Sequence, residues 1–164
     1  MASSEKNLSE FEGNDIPNGT GMRIAIVVSE WNAAITGALF DGAVKTLVNN
    51  HVKKDDIIIS KVPGSYELTL AAQFLCEDKS IEGVIALGCV IQGETKHFDF
   101  ICDAVAHGIT NVSLKYNKPV IFGVLTTNDL KQAQERAGGK HGNKGDEAAV
   151  TALKMIALKR SISQ

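Results

Sequence analysis

The chain has 164 residues, of which 44% are hydrophobic and 22% are charged, and its formal net charge is −2. This length and composition predict an ordinary globular protein that can bury a core without disulfides or metals. The slight negative charge excludes a global positive field for nucleic acid or acidic membranes, so neither is an expected partner, and any attraction for an anionic substrate must be local.

Strands and helices are predicted to alternate after a polar N-terminal stretch. Residues 1–21 are rich in Ser, Asn, Gly and Glu, and we expect a flexible or extended arm in which only Leu8, Phe11 and Ile16 could dock. Short apolar runs such as 22–28 predict buried parallel strands, whereas apolar residues spaced by four predict helices. In chain order the prediction is strand 22–28, helix 33–50, strand 57–62, helix 65–78, strand 83–90, helix 95–116, strand 119–125, helix 128–137 and helix 146–162.

Four strand-to-helix alternations predict an α/β fold with a parallel sheet between two layers of helices. We expect a three-layer αβα architecture with a four-stranded flavodoxin-like sheet in the order 2-1-3-4. One domain is predicted over residues 22–164, behind the N-terminal arm 1–21. Ser65 and Thr95 are placed to cap the second and third helices, and a Gly-rich basic loop over 138–145 joins the last two helices.

The cysteines and the apolar runs bear on location. The three cysteines are far apart and never form a C-x-x-C pair, so a disulfide framework and a zinc knuckle are excluded and reduced, buried thiols are favoured. The sequence shows no secretory signal. The lengths of its apolar runs fall well short of the ~20 residues that a membrane span needs. A cytoplasmic protein is expected, because a reducing compartment suits the unpaired thiols of Cys76, Cys89 and Cys102.

Chemistry is expected just after the strands, because ligands of open α/β sheets bind beyond the carboxyl ends of the strands. The segments there should converge on one rim. They are residues 29–32, 63–67, 91–97 and 126–128.

Three side chains on this rim have both a functional and an ordinary interpretation. Trp31 and Tyr66 either pack over the sheet edge or offer a stacking platform for a flat heterocycle. His97, in the first turn of the third helix, is either structural or a group that exchanges a proton near pH 7, as condensation chemistry requires.

Two segments could bind phosphate. Residues 88–95 (GCVIQGET) superficially match a nucleotide-binding P-loop, but Glu94 occupies the position of the essential lysine, which excludes that function. The segment is either a plain turn or, with Thr95 at a helix N-terminus, a phosphate site. The Gly-rich loop with Arg136, Lys140, His141 and Lys144 is either a solvated connector or a local anion site.

Taken together, several segments resemble the lumazine synthase family in order and spacing, and the resemblance extends over nearly the whole chain from Met22. The segments are 62–68 (VPGSYEL), 88–95 followed by 97–100 (HFDF), 122–126 (FGVLT), 136–138 (RAG) and 142–145 (GNKG).

The resemblance implies a transferase of riboflavin biosynthesis. Such an enzyme condenses 5-amino-6-(D-ribitylamino)uracil with 3,4-dihydroxy-2-butanone 4-phosphate to 6,7-dimethyl-8-ribityllumazine, without cofactor or metal. His97 matches the proposed proton donor. Residues expected at the pyrimidine and ribityl chain are Trp31, Ser65, Tyr66, Glu67, Cys89, Val90, Ile91 and Phe122. Residues expected at the phosphate are Glu94, Thr95, Arg136 and Lys144.

In that family Phe122 and Arg136 would reach in from a neighbouring subunit. The resemblance also implies a homopentamer, and a 60-subunit icosahedral shell and an association with riboflavin synthase stay open. Trp31 replaces the commoner Phe, Gln92 stands where Arg is frequent, and Ser65 and Cys89 replace Ala and Thr, so substrate affinity could differ. Two alternatives remain, namely a flavin- or pterin-binding module without catalysis and a different phosphosugar enzyme on the same fold.

Overall fold

A computed structural model describes residues 7–11 and 16–163 of the chain. Its centre is a four-stranded parallel sheet in the order β2-β1-β3-β4. Every residue of the first strand is buried, as expected for a parallel sheet covered on both faces. The strands are β1 (Ile24–Ser29), β2 (Ile57–Val62), β3 (Gly83–Ile91) and β4 (Val120–Thr127).

Helices cover both faces of this sheet. The α-helices of the described residues are α1 (Ala33–Asn49), α2 (Leu68–Glu77), α3 (His97–Tyr116), α4 (Leu130–Glu135) and α5 (Lys144–Ile162). Apolar side chains of α1 and α5 pack with Ile24, Ile26 and Leu87 on one face. Those of α2 and α3 pack with Ala25 and Val27 on the other. The three-layer fold and the strand order predicted from the sequence are thus confirmed.

The two predicted helix caps are not formed as expected. The second helix begins at Leu68 rather than Ser65, and the Ser65 hydroxyl is buried without a hydrogen-bond partner. The third helix begins at His97, and Thr95 offers its hydroxyl oxygen to the His97 N–H only at 3.4 Å. Both helices therefore start later than predicted, which lengthens the two turns that follow β2 and β3.

The Gly-rich segment is an ordered hairpin rather than the predicted open loop. Strands β5 (Ala137–Gly139) and β6 (Gly142–Asn143) pair antiparallel, and α5 begins immediately afterwards at Lys144. Gly142 has a φ of +80°, which a glycine adopts without strain. The observed α4 (Leu130–Glu135) is shorter at both ends than the predicted helix 128–137.

The described part of the N-terminal stretch packs against the domain. The Leu8 N–H donates a 2.8 Å hydrogen bond to the His141 carbonyl, and Ile16 packs on the α1/α5 side of the core. For residues 1–6 and 12–15 the expectation of a flexible arm lies outside the described residues. Within residues 7–11 and 16–163, no helix has the length and apolarity needed to cross a membrane.

Candidate functional site

A cleft lies at the carboxyl ends of β1, β2 and β3, where the sequence predicted the chemistry. Its volume is about 670 Å³, which suits a small heterocyclic ligand. We call it the Trp31 cleft. It is lined by Trp31, Asn32, Gly64, Ser65, Tyr66, Glu67, Cys89, Val90, Ile91, His97 and Ile101.

Backbone hydrogen bonds hold the indole of Trp31 at the mouth of this cleft. The Glu30 and Trp31 N–H groups donate to the carbonyls of Val62 and Pro63 at 2.8 and 3.1 Å, which ties the β1–α1 turn to the end of β2. The indole is 72% exposed. Because so much of the ring is uncovered while its backbone is fixed, Trp31 does not serve as packing within this chain and is free to stack on a ligand.

Asn32 joins this turn to the third strand. It adopts a left-handed conformation (φ 60°, ψ 44°), which asparagine tolerates better than most residues. Its side-chain amide donates a 3.0 Å hydrogen bond to the Cys89 carbonyl. Asn32 therefore fixes the spacing between the aromatic platform and the strand that forms the floor of the cleft.

The β2–α2 turn supplies a second wall. Tyr66 is 58% exposed, so its ring is available to a ligand, and Glu67 is also exposed. The Ser65 hydroxyl packs instead against Gly88, where an added Cβ would lie 2.7 Å from the oxygen. Gly88 is thus required for the close approach of this turn to β3, and Ser65 contributes to the cleft mainly through its backbone.

Cys89 lies in the floor of the cleft with a neutral thiol. Burial raises the pKa of Cys89 to about 11. At neutral pH the thiol is protonated, and a protonated thiol is a poor nucleophile. The cleft is therefore suited to binding and proton transfer rather than to covalent catalysis by sulfur.

His97 lies at the first residue of α3 and faces the cleft together with Ile101, one turn further along. It is exposed, so its imidazole can meet both a ligand and water. Glu94 and Thr95 are exposed in the turn just before it and are not among the residues that line the cleft.

The remaining candidate residues lie in a second cleft of about 340 Å³ beside β4. We call it the Arg136 cleft. Arg136 donates from Nη1 to the Gln132 carbonyl at 3.1 Å, and Lys144 forms a 2.8 Å ion pair with Glu147. It is lined by Leu8, Phe122, Val124, Leu125, Thr126, Thr127, Gln132, Arg136, His141 and Lys144.

The four post-strand segments lie on one rim as expected, because the strands are parallel and Thr126 and Thr127 of β4 pair with Val90 and Ile91 of β3. Thr126 and Thr127 line the Arg136 cleft, because β4 is the outer strand beyond β3. Within a single chain, the aromatic platform and the two cationic side chains occupy different clefts.

The structure also brings into the cleft residues to which the sequence assigned no individual role. Asn32, Gly64 and Ile101 line the Trp31 cleft. An asparagine in the turn between an apolar strand and a helix is a signal for a left-handed residue, which could have identified Asn32. Ile101 follows His97 by four residues, so both lie on one face of α3.

Fold and site together define a flavodoxin-like α/β protein with a heterocycle-sized cleft beyond its strands. A sequence profile described as "6,7-dimethyl-8-ribityllumazine synthase" matches residues 21–160. A protein of that name from Cytophaga hutchinsonii is 60% identical over 157 residues, covering 96% of this chain and 98% of the relative. Those from Porphyromonas gingivalis and Parabacteroides distasonis are 52% and 51% identical, covering 98% and 95% of this chain and 99% and 98% of their own lengths.

The chain belongs to the 6,7-dimethyl-8-ribityllumazine synthase family, transferases of riboflavin biosynthesis. The family resemblance seen in the sequence is thereby confirmed.

Proposed function

We propose that the Trp31 cleft binds 5-amino-6-(D-ribitylamino)uracil, which the enzyme condenses with 3,4-dihydroxy-2-butanone 4-phosphate to 6,7-dimethyl-8-ribityllumazine. The observation that carries this proposal is that one cleft of about 670 Å³ brings together Trp31, Glu67 and His97. These residues supply a stacking surface, a hydrogen-bond acceptor and a proton-transfer group, which are the elements needed to hold and condense an amino-pyrimidine.

The aromatic and acidic side chains would orient the pyrimidine. Trp31 stacks on the ring, and Tyr66 packs beside it. Glu67 accepts hydrogen bonds from ribityl hydroxyls. Val90 and Ile91 are half-buried at the end of β3, where their backbone groups can meet the ring. The Cys89 carbonyl already accepts a hydrogen bond from Asn32, which leaves one lone pair for the ligand.

The chemistry needs positioning more than a strong catalytic group. The amine of the pyrimidine adds to the ketone and forms an imine with loss of water, phosphate is eliminated, and the ring closes with loss of a second water. Holding two reactants in contact can lower such a barrier by up to about 7–11 kcal/mol. Proton transfer by His97 would add roughly 10²–10⁴-fold.

The phosphate of the second substrate would be held by two copies of the chain. Glu94 and Thr95 lie beside His97 at the N-terminal end of α3, where the helix dipole favours an anion. Arg136 and Lys144 lie in the Arg136 cleft, and with Phe122 they would reach the Trp31 cleft of a neighbour. Because Glu94 is itself acidic, the cationic pair from the neighbour is needed to balance the phosphate charge.

A homopentamer would supply this contact between neighbours, and a shell of twelve pentamers stays the alternative. Unpartnered apolar side chains support subunit contacts, among them Phe74 (59% exposed), Phe100 (71%) and Leu114 (75%). Sedimentation would separate a pentamer from a 60-subunit shell, and pull-down with riboflavin synthase would test that association.

A reducing cytoplasm would suit Cys76, Cys89 and Cys102, which are free thiols.

The proposal is tested by incubating the protein with both substrates and following the lumazine chromophore. Formation well above the spontaneous rate is expected. A rate equal to the spontaneous one, with ligand binding intact, would favour a binding module without catalysis. Failure of a ribityl-pyrimidine analogue to compete would favour a different phosphosugar enzyme.

A further inference from the structure

A short N-terminal segment is joined to the hairpin that carries the phosphate-binding candidates. We call residues 7–11 the N-terminal clip. The Ser9 hydroxyl donates a 2.6 Å hydrogen bond to Asp146 Oδ2 and accepts a 2.8 Å hydrogen bond from the Asn143 N–H. Because residues 143 and 146 flank Lys144, this one hydroxyl binds the backbone on one side of that lysine and a carboxylate side chain on the other.

Other contacts of the clip reinforce this connection. The Leu8 N–H donates to the His141 carbonyl at 2.8 Å, and the Leu8 side chain lines the Arg136 cleft. An added Cβ on Gly142 would collide with Asn7 and lie 2.7 Å from the Ser9 nitrogen. The hairpin and the clip are therefore packed without space between them, so a glycine is required at their contact.

The hairpin in turn joins the two cationic residues. The Lys144 N–H donates to the Arg136 carbonyl at 2.9 Å, and the His141 N–H donates to the Glu135 carbonyl at 2.8 Å. The second oxygen of the Asp146 carboxylate accepts a 3.0 Å hydrogen bond from the Thr46 hydroxyl. Ser9 thus completes a network that connects α1, the hairpin and the start of α5 around the Arg136 cleft.

We propose that the N-terminal clip positions the phosphate-binding half of the active site, and that Ser9 is the positioning residue through which it acts. The inference rests on the proposed function, in which Arg136 and Lys144 bind the phosphate of the ketose substrate. Ser9 touches no substrate. It holds the backbone that presents Lys144, so its loss should weaken binding of the phosphate substrate and leave the pyrimidine cleft unchanged.

The first test measures the network without reference to activity. Hydrogen exchange of the full-length protein is compared with that of Ser9→Ala, Ser9→Thr and Ser80→Ala. Ser80 is the matched control, because its hydroxyl also donates to a carboxylate, that of Asp78, at 2.7 Å on a distant exposed turn. Faster exchange over residues 142–146 is expected in Ser9→Ala alone. Unchanged exchange there would overturn the proposal.

The second test separates positioning from a general loss of structure. In Ser9→Ala the KM for the ketose phosphate should rise about two- to tenfold, the range that the loss of one modest hydrogen bond corresponds to, with the KM for the pyrimidine unchanged. Ser9→Thr, which keeps the hydroxyl, should restore the original KM. Equal changes in both KM values, or no rescue by threonine, would contradict a positioning role.

Arg136→Ala is measured beside these variants. If Arg136→Ala raises the KM for the ketose phosphate and Ser9→Ala does not, the role of Ser9 is refuted and the proposed function stands. If Arg136→Ala leaves that KM unchanged, the proposed phosphate site fails, and the exchange experiment still decides whether the clip orders the hairpin.

Discussion

Replacement of Trp31 by alanine should weaken pyrimidine binding without destabilising the fold. The indole is 72% exposed, and its backbone hydrogen bond to Pro63 does not depend on the side chain. Its removal should therefore change the free energy of unfolding by no more than about 0.5 kcal/mol. Stacking of a base-like ring on an aromatic side chain contributes about 1–3 kcal/mol. Since about 1.4 kcal/mol is tenfold in affinity, the Kd for a ribityl-pyrimidine analogue should rise roughly 5- to 150-fold.

Equilibrium titration is the appropriate assay, because KM equals Kd only when chemistry is slow relative to dissociation. Trp31→Phe is the matched control, since it keeps a flat ring on the same backbone and should retain most of the affinity. An affinity in Trp31→Ala within about twofold of the original, less than the smallest stacking contribution predicts, would refute the stacking role. A large loss in melting temperature would show instead that the indole is structural.

Four further results are expected. His97→Ala should slow turnover by about 10²–10⁴-fold yet leave measurable catalysis, and complete loss with intact binding would contradict the dominance of positioning. Arg136→Ala should chiefly raise the KM for the ketose phosphate in steady-state kinetics, whereas an unchanged KM removes it from the phosphate site. Gly145→Ala should lower stability in denaturant titrations by about 1–3 kcal/mol, because its Cβ would collide with the Leu39 carbonyl of α1, and an unchanged midpoint would contradict this packing. Because burial raises the pKa of Cys89 from 9.0 to about 11, stability should fall as pH rises between those values, and Cys89→Ala should make that decline shallower.

The sheet was predictable from sequence because each strand is a nearly continuous apolar run. β2 was predicted with its observed bounds, Ile57–Val62, the alternation of strands and helices predicted the parallel sheet, and the strand order was expected from the flavodoxin-like type. Helix starts were less accurate. Ser65 and Thr95 have good capping chemistry, but the contact of Ser65 with Gly88 turns its hydroxyl into the protein, an effect of tertiary packing that local pattern does not contain.

The sequence predicted correctly which candidate residues share a cleft when they follow two neighbouring central strands. Trp31 and His97 follow β1 and β3, which are neighbours in the sheet, and both line one cleft. Thr126 lies at the end of the outer strand and lines the other cleft. The hydrogen bond between Ser9 and Asp146 joins residues 137 positions apart, and no local signal in the sequence could have indicated it.

The central claim is that two neighbouring copies complete one active site, and mixing of variants tests it most directly. One variant carries Trp31→Ala with His97→Ala, and the other carries Phe122→Ala with Arg136→Ala. In randomly mixed assemblies about one heterologous contact in four should join two intact clefts, so activity should clearly exceed the mean of the two variants measured separately. Activity equal to that mean, in assemblies shown to contain both variants, would contradict the shared site.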